Sequence, residues 1–261
     1  MILTREVCGS MVQRGLAAMG RTVFIIVIAL LSAPLILFRR DIRADFSRQM
    51  YVVGIGTLPV STVVALFTGM ILSLQLGIAF RQLSQELMVA STLAYAMLRE
   101  MGPFMMGIIL ASCVGSSMAA QLGAMKINEE ITALEMMSVN PVRYLVTARM
   151  WAMLIMAPLI SFYTCVIAFM GGALVAYTQL DVPFLQFMQG VIDASQTKDL
   201  WVGLIKATFF GVMICGISCN VGFGTSNGAV GVGASTRRAV IYSFLAILIG
   251  GYFVTRCCYA L

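Results

Sequence analysis

What most constrains this chain is where its charges stop. Residues 22–38, 49–80, 101–125, 150–180, 207–236 and 239–255 contain no Asp, Glu, Lys or Arg, and four of these runs hold 25 residues or more. A helix rises about 1.5 Å per residue, so roughly 20 apolar residues cross a hydrocarbon layer about 30 Å thick. Only 11% of the residues are charged and 60% are hydrophobic. Soluble domains carry about 25% charged residues, so a water-soluble globule is excluded, as is a disordered chain. The fold class expected is an all-α integral membrane protein. It has about five transmembrane helices, at 49–80, about 87–122, 150–178, 200–224 and 239–258.

The run from Thr22 to Phe38 is shorter and contains Pro34. Before it, Arg5, Arg14 and Arg21 are set among Leu3, Val7, Met11 and Leu16, without the apolar core of a cleavable signal peptide. Residues 1–48 therefore read as an N-terminal segment: an amphipathic interfacial helix, then a shallow or half-inserted one. A sixth full span is the other reading. Residues 49–261 form the transmembrane domain.

Orientation follows from Lys and Arg. The net charge of +6 reflects membrane sidedness here, and no nucleic-acid partner is expected. Arg5, Arg14, Arg21, Arg39, Arg40, Arg43 and Arg48 share a side with Lys126, Arg143, Arg149, Arg237 and Arg238, whereas the opposite side holds only Arg81 and Lys198, with Arg99, Lys206 and Arg256 near or inside spans. The richer side, with the N-terminus, is expected in the cytoplasm. On the outer side, Phe184, Phe187, Met188, Val191 and Ile192 follow helical spacing after Pro183. That spacing predicts a short amphipathic helix, which either floats at the interface or docks a partner.

Several chemistries lack their residues. There is no histidine, which removes imidazole acid/base catalysis, Ser-His and Cys-His pairs and most zinc sites. The seven cysteines include no C-x-x-C and most lie in apolar runs, so packing is expected of most of them, and no metal site. No G-K-[ST] occurs, so any nucleotide must be bound by another chain. No catalytic residues and no cofactor are expected in this subunit.

Four segments remain. In LREMGP (98–103), Arg99 and Glu100 interrupt a long apolar helix beside Gly102-Pro103, where a kink is permitted. The pair is either a membrane-edge anchor or the polar end of a cavity between helices. Farther on, Ala111, Gly115, Ala119 and Gly123 recur every four residues, a spacing that lets two helices approach closely. In the linker, Ile127, Ile131, Leu134 and Met137 share one helical face while Glu130 interrupts it, and Asn140-Pro141 is expected to end the helix. An apolar helix carrying three glutamates suits a protein partner better than anionic headgroups. The stretch GFGTSNGAVGVG (222–233) is expected to be a cytoplasmic turn before the last span.

Five motifs together, GMILSLQ (69–75), LREMGP (98–103), GSSMAAQLGAM (115–125), EEITALEMMSVNPVRYLV (129–146) and GAVGVGASTRRAV (228–240), resemble the MlaE family of ABC-transporter permeases, the membrane subunits of MCE-linked lipid transport systems. Gln121, Cys113 and Asn140 stand where that family usually has Glu, Arg and Asp. The resemblance implies a homodimer of five-span subunits in a bacterial inner membrane, joined to cytoplasmic ABC ATPase subunits and an outer MCE-domain lipid-binding protein. ATP would be bound by the ATPase. The helix at about 127–139 would be the coupling helix, with Glu129, Ile131, Leu134, Glu135 and Met137 as ATPase contacts. Arg99, Glu100 and Met101 would lie near a lipid cavity walled by Leu72, Gln75, Leu76 and Phe80. The function implied is ATP-driven movement of phospholipid-class lipids between the membrane and the MCE partner. The alternative is an ion-coupled secondary transporter of a hydrophobic substrate, although no internal repeat of the kind such proteins carry is evident.

Overall fold

The computed structural model describes residues 19–32, 40–83 and 85–259, apart from the side chains of residues 40–42. The surface helix expected in the first 18 residues lies outside the described residues, as do Pro34 and Cys8. All regular structure among the described residues is helical.

In chain order the helices are α1 (Met19–Leu31), α2 (Arg40–Val53), α3 (Leu58–Arg81), α4 (Met88–Ile127), α5 (Glu130–Met136), α6 (Val142–Gln179), α7 (Phe184–Ala194), α8 (Thr197–Phe223) and α9 (Gly228–Tyr259). Five helical stretches are long and apolar enough to cross a membrane: Arg43–Arg81, α4, α6, α8 and α9. Each expected span is present, and most run past the bounds that the charges suggested. A terminal Arg or Lys ends an apolar run without ending a helix, because it can extend toward water.

The run from Thr22 falls in α1. At about 1.5 Å per residue α1 is about 20 Å long, short of the roughly 30 Å hydrocarbon layer. It is held against the bundle: Ile25 and Ala29 are buried, Trp151 Nε1 donates to the Ala29 carbonyl at 3.3 Å, and Asn220 Nδ2 donates to Thr22 Oγ1 at 2.8 Å.

Small residues set the closest crossings. On α3, Ser61, Ala65, Gly69, Ser73 and Gly77 are buried at four-residue intervals. A Cβ at Gly69 would stand 2.0 Å from the Ala168 carbonyl oxygen of α6, and one at Gly171 would stand 2.4 Å from that of Leu66. Ser73 Oγ donates to the Gly172 carbonyl at 2.9 Å, so the two helices meet main chain to main chain. The expected stripe on α4 serves likewise against α8 and the turn after it. Gly115 faces Ser218 and Ile214, and Gly123 faces Thr225.

The glycine stretch differs from expectation. The turn spans only residues 224–227, and α9 already begins at Gly228, so most of GAVGVG is helical. Asn227 (φ 67°) and Gly228 (φ 62°) make the reversal. Thr225 Oγ1 then donates to Ser235 Oγ at 2.8 Å, tying the turn to the helix after it.

The linker differs too. α5 ends before Asn140-Pro141, at a Schellman motif. Ser138 takes a left-handed conformation (φ 58°), its N–H reaches the Glu135 carbonyl at 2.9 Å, and the Val139 N–H reaches that of Leu134 at 3.0 Å. Asn140 instead starts α6, its Oδ1 accepting from Val142 N (3.0 Å) and Arg143 N (3.2 Å).

Candidate functional site

The site grows from a local conflict in α4. Pro103 has no N–H to offer the Arg99 carbonyl four residues back. The helix answers with a wide π turn over Met97–Met101, a rare form that occurs mostly as single turns inside α-helices, frequently at functional sites. Lys206 of α8 takes the place of the missing donor, its Nζ lying 2.7 Å from the Arg99 carbonyl oxygen. Gly203 allows this approach, since a Cβ there would stand 2.3 Å from the Leu98 carbonyl oxygen.

Around that turn four charges pair crosswise. Arg99 Nη2 donates to Asp199 Oδ2 at 3.0 Å, and Nε lies 2.9 Å from Oδ1 as an ion-pair contact. Lys206 Nζ lies 2.7 Å from Glu100 Oε1, which also accepts from Thr255 Oγ1 at 2.8 Å. Asp199 and Lys206 side chains are each 1% exposed, against 38% for Arg99 and 46% for Glu100. Each pair thus joins a buried charge to a half-exposed one, and a buried charge is tolerable only when it is so compensated.

Aromatic rings complete the cluster. Tyr259 donates its hydroxyl to Asp199 Oδ1 at 2.7 Å. The Arg99 guanidinium lies over the rings of Tyr95 (4.8 Å) and Tyr259 (5.0 Å), within cation–π range. Asp199 is in the first turn of α8 and Tyr259 is the last residue of α9. Arg99 therefore lies level with two helix ends and inside a polar cluster between helices.

The four charges sum to zero, so the cluster is not a bare cationic pocket. Glu100 pairs with Lys206 rather than with Arg99. Asp199 occupies one edge of the guanidinium, and Arg99 Nη1 makes no hydrogen bond to the described residues. That free edge can take one anionic oxygen. Lys198 adds a cation nearby, without an ion pair among the described residues and with Nζ 5.7 Å from the Tyr259 ring.

Leu72, Leu76, Phe80 and Met101 all pack half-buried against the apolar cluster that contains Leu93, Met97, Leu98 and Phe187. Gln75 lies on the exposed side of α3. α7 docks on the same cluster through Phe187 and Val191, while Phe184 and Ile192 stay exposed. One end of the bundle thus joins an apolar wall to a neutralised polar rim. Of this rim, sequence reasoning found Arg99 and Glu100 and missed Asp199, Tyr259 and Thr255. A signal was present for two of the buried partners: Asp199 and Lys206 are seven residues apart, on one face of an otherwise apolar helix.

At the other end, α5 stands outside the spans. Glu129, Glu130, Glu135 and Met137 are exposed, Met136 is 85% exposed, and Ile131 is buried as the anchor under the helix. Leu134 is half-buried. Glu129 takes a left-handed conformation (φ 61°) where the chain turns out of α4. Among the described residues no group of acidic or cysteine side chains is placed to hold a metal ion.

Comparison with known proteins agrees with this architecture. The family described as "Permease MlaE" matches residues 46–257. A probable ABC transporter permease protein of Rickettsia prowazekii is 36% identical over 208 residues, 80% of each chain. A probable ABC transporter permease protein of Synechocystis is 31% identical over 213 residues, 82% of this chain and 81% of that one. The intermembrane phospholipid transport system permease protein MlaE of Haemophilus influenzae is 32% identical over 237 residues, 88% of each chain. With its five spans and a family match that covers nearly all of them, the chain belongs to the MlaE permease family.

Proposed function

We propose that this protein is the permease subunit of an ATP-driven transporter that moves phospholipid-class lipids between a bacterial inner membrane and a periplasmic MCE-domain partner. The observation that carries this reading is the join of apolar wall and polar rim at the outer end of the bundle. Acyl chains gain about 0.8 kcal/mol per buried CH₂, so Leu72, Leu76, Phe80 and Met101 suit the tails. A phosphate suits the free edge of Arg99, with Glu100 and Lys206 holding the turn that presents it. Two copies of the chain would enclose the lipid, since one copy leaves this wall open on one side.

Burial of tails makes binding easy and release the hard step, and release is where an ATPase is needed. The contact face for that ATPase is α5, with Glu129, Glu135, Met136 and Met137 outward, Leu134 half-buried beside them and Ile131 securing the helix. The cationic ends near Lys126, Arg143, Arg237 and Arg238 support a cytoplasmic place for this side. The hydrolytic residues belong to the ATPase, and this chain is a non-catalytic subunit.

The test is mass spectrometry of lipids retained by the purified complex, together with ATP hydrolysis measured with and without added phospholipid. Co-purifying phospholipid and lipid-stimulated hydrolysis are expected. A complex with neither would overturn the reading.

A further inference from the structure

A second polar site lies at the opposite end of the bundle from Arg99. A cavity of about 560 Å³ opens between α2, α4 and α6, lined among others by Asp45, Arg48, Gln49, Gln121, Tyr144 and Arg149. Arg149 is only 7% exposed. Among the described residues its one side-chain hydrogen bond runs from Nη2 to Gln121 Oε1 at 3.2 Å, and its buried Nε and Nη1 meet no acceptor there. A guanidinium stays charged at any physiological pH, and Gln121 offers a dipole where a charge is needed. Neither Arg149 nor Arg48 forms an ion pair among the described residues, although the exposed Asp45 stands at the same cavity.

A buried charge without a counter-charge is costly enough that structures rarely keep one. Here the cavity beside it is roomy, and a second arginine and a phenol line it. We propose that this cavity binds a phosphate group, with Arg149 as the buried counter-charge and Arg48 and Tyr144 as further donors. Its volume admits a phosphate with its ester substituents. Arg48 belongs to α2, a helix with Arg43, Asp45 and Arg48 exposed, as suits a headgroup layer. The phosphate can come from a phospholipid headgroup or from free phosphate in solution. This site is separate from the Arg99 cluster and needs no ATPase.

The test uses the full chain in an uncharged detergent, followed by thermal unfolding. A ligand that binds the folded form raises the midpoint saturably. One arm titrates inorganic phosphate against chloride at equal ionic strength. The other titrates dioctanoyl phosphatidylglycerol against dioctanoylglycerol, which lacks the phosphate. A saturable rise in the lipid arm alone identifies a headgroup, and a rise with inorganic phosphate identifies the free ion; either supports the site. Gln121→Glu supplies an internal carboxylate for Arg149, and Arg48→Gln removes the exposed donor. Each should weaken the apparent affinity about tenfold, the usual size of a lost charged hydrogen bond. Lipid held at the Arg99 cluster would be unaffected by both substitutions. No saturable rise in either arm, an equal rise with dioctanoylglycerol, or an unchanged affinity in both variants would overturn the proposal.

Discussion

The Arg99–Asp199 pair makes a prediction about asymmetry. Asp199 is 1% exposed and Arg99 38%, so the two halves are unequal when left alone. Arg99→Ala abandons a buried carboxylate to a single donor, the Tyr259 hydroxyl at 2.7 Å. Removing one partner of a buried pair costs about 3–5 kcal/mol. Asp199→Asn leaves a guanidinium that solvent can partly reach and that two rings still face, so its cost is nearer the about 1–3 kcal/mol of one lost charged hydrogen bond. In the double variant the buried carboxylate is gone, so the coupling energy should exceed the cost of Asp199→Asn alone, at the upper end of the about 0.5–3 kcal/mol found for residues in contact. A chain of this size shifts its midpoint by about 2–4 °C per kcal/mol. Thermal unfolding in detergent should therefore rank Arg99→Ala lowest, the double variant above it and Asp199→Asn highest of the three. Equal losses for the two single variants, with strict additivity in the double, would refute the claim that burial of Asp199 sets the energetics of the cluster.

Three other outcomes are expected. Glu135→Lys should abolish lipid-stimulated ATP hydrolysis while the protein still inserts and folds, as checked by assembly with the ATPase and by transport assays; normal transport would remove α5 from the coupling role. Gly69→Ala should lower the unfolding midpoint by more than a surface change, about 1–3 kcal/mol for an overpacked contact, because its Cβ would sit 2.0 Å from the Ala168 carbonyl oxygen; an unchanged midpoint would mean that α3 and α6 are not in main-chain contact. In intact cells, a cysteine replacing Leu185, which is 71% exposed on α7, should react with an impermeant thiol reagent, whereas one replacing Met136 should react only after the membrane is opened. The reverse pattern would invert the topology.

The spans were legible because burying backbone in hydrocarbon requires helices and excludes charge, so charge-free runs betray them directly. Their ends were less legible. Arg43 and Arg48 sit inside helices that continue past the apolar run, and the glycines after 228 join a helix because packing and main-chain hydrogen bonds outweigh their modest propensity cost. At the linker, Asn140 caps the following helix rather than stopping the preceding one; the signal that ends α5 is a left-handed serine that composition does not mark. The site was half legible. Arg99 and Glu100 stand out as charges in an apolar stretch, but their partners lie on α8 and α9, at positions that only the packing of three helices brings together. Lys206 was visible as an intramembrane charge, whereas its bond to a carbonyl orphaned by Pro103 depends on tertiary structure.

The interlocked backbones of α3 and α6 bear on how such a machine can move. Two rods whose main chains touch, with a serine of one fastened to a carbonyl of the other, have no lubricating layer of side chains between them. Sliding or rolling one along its neighbour would bring bulkier positions to a crossing where not even a Cβ fits at Gly69. If the proposed transport involves a working stroke, the pair is expected to travel as a single plank, with the compliance in joints elsewhere.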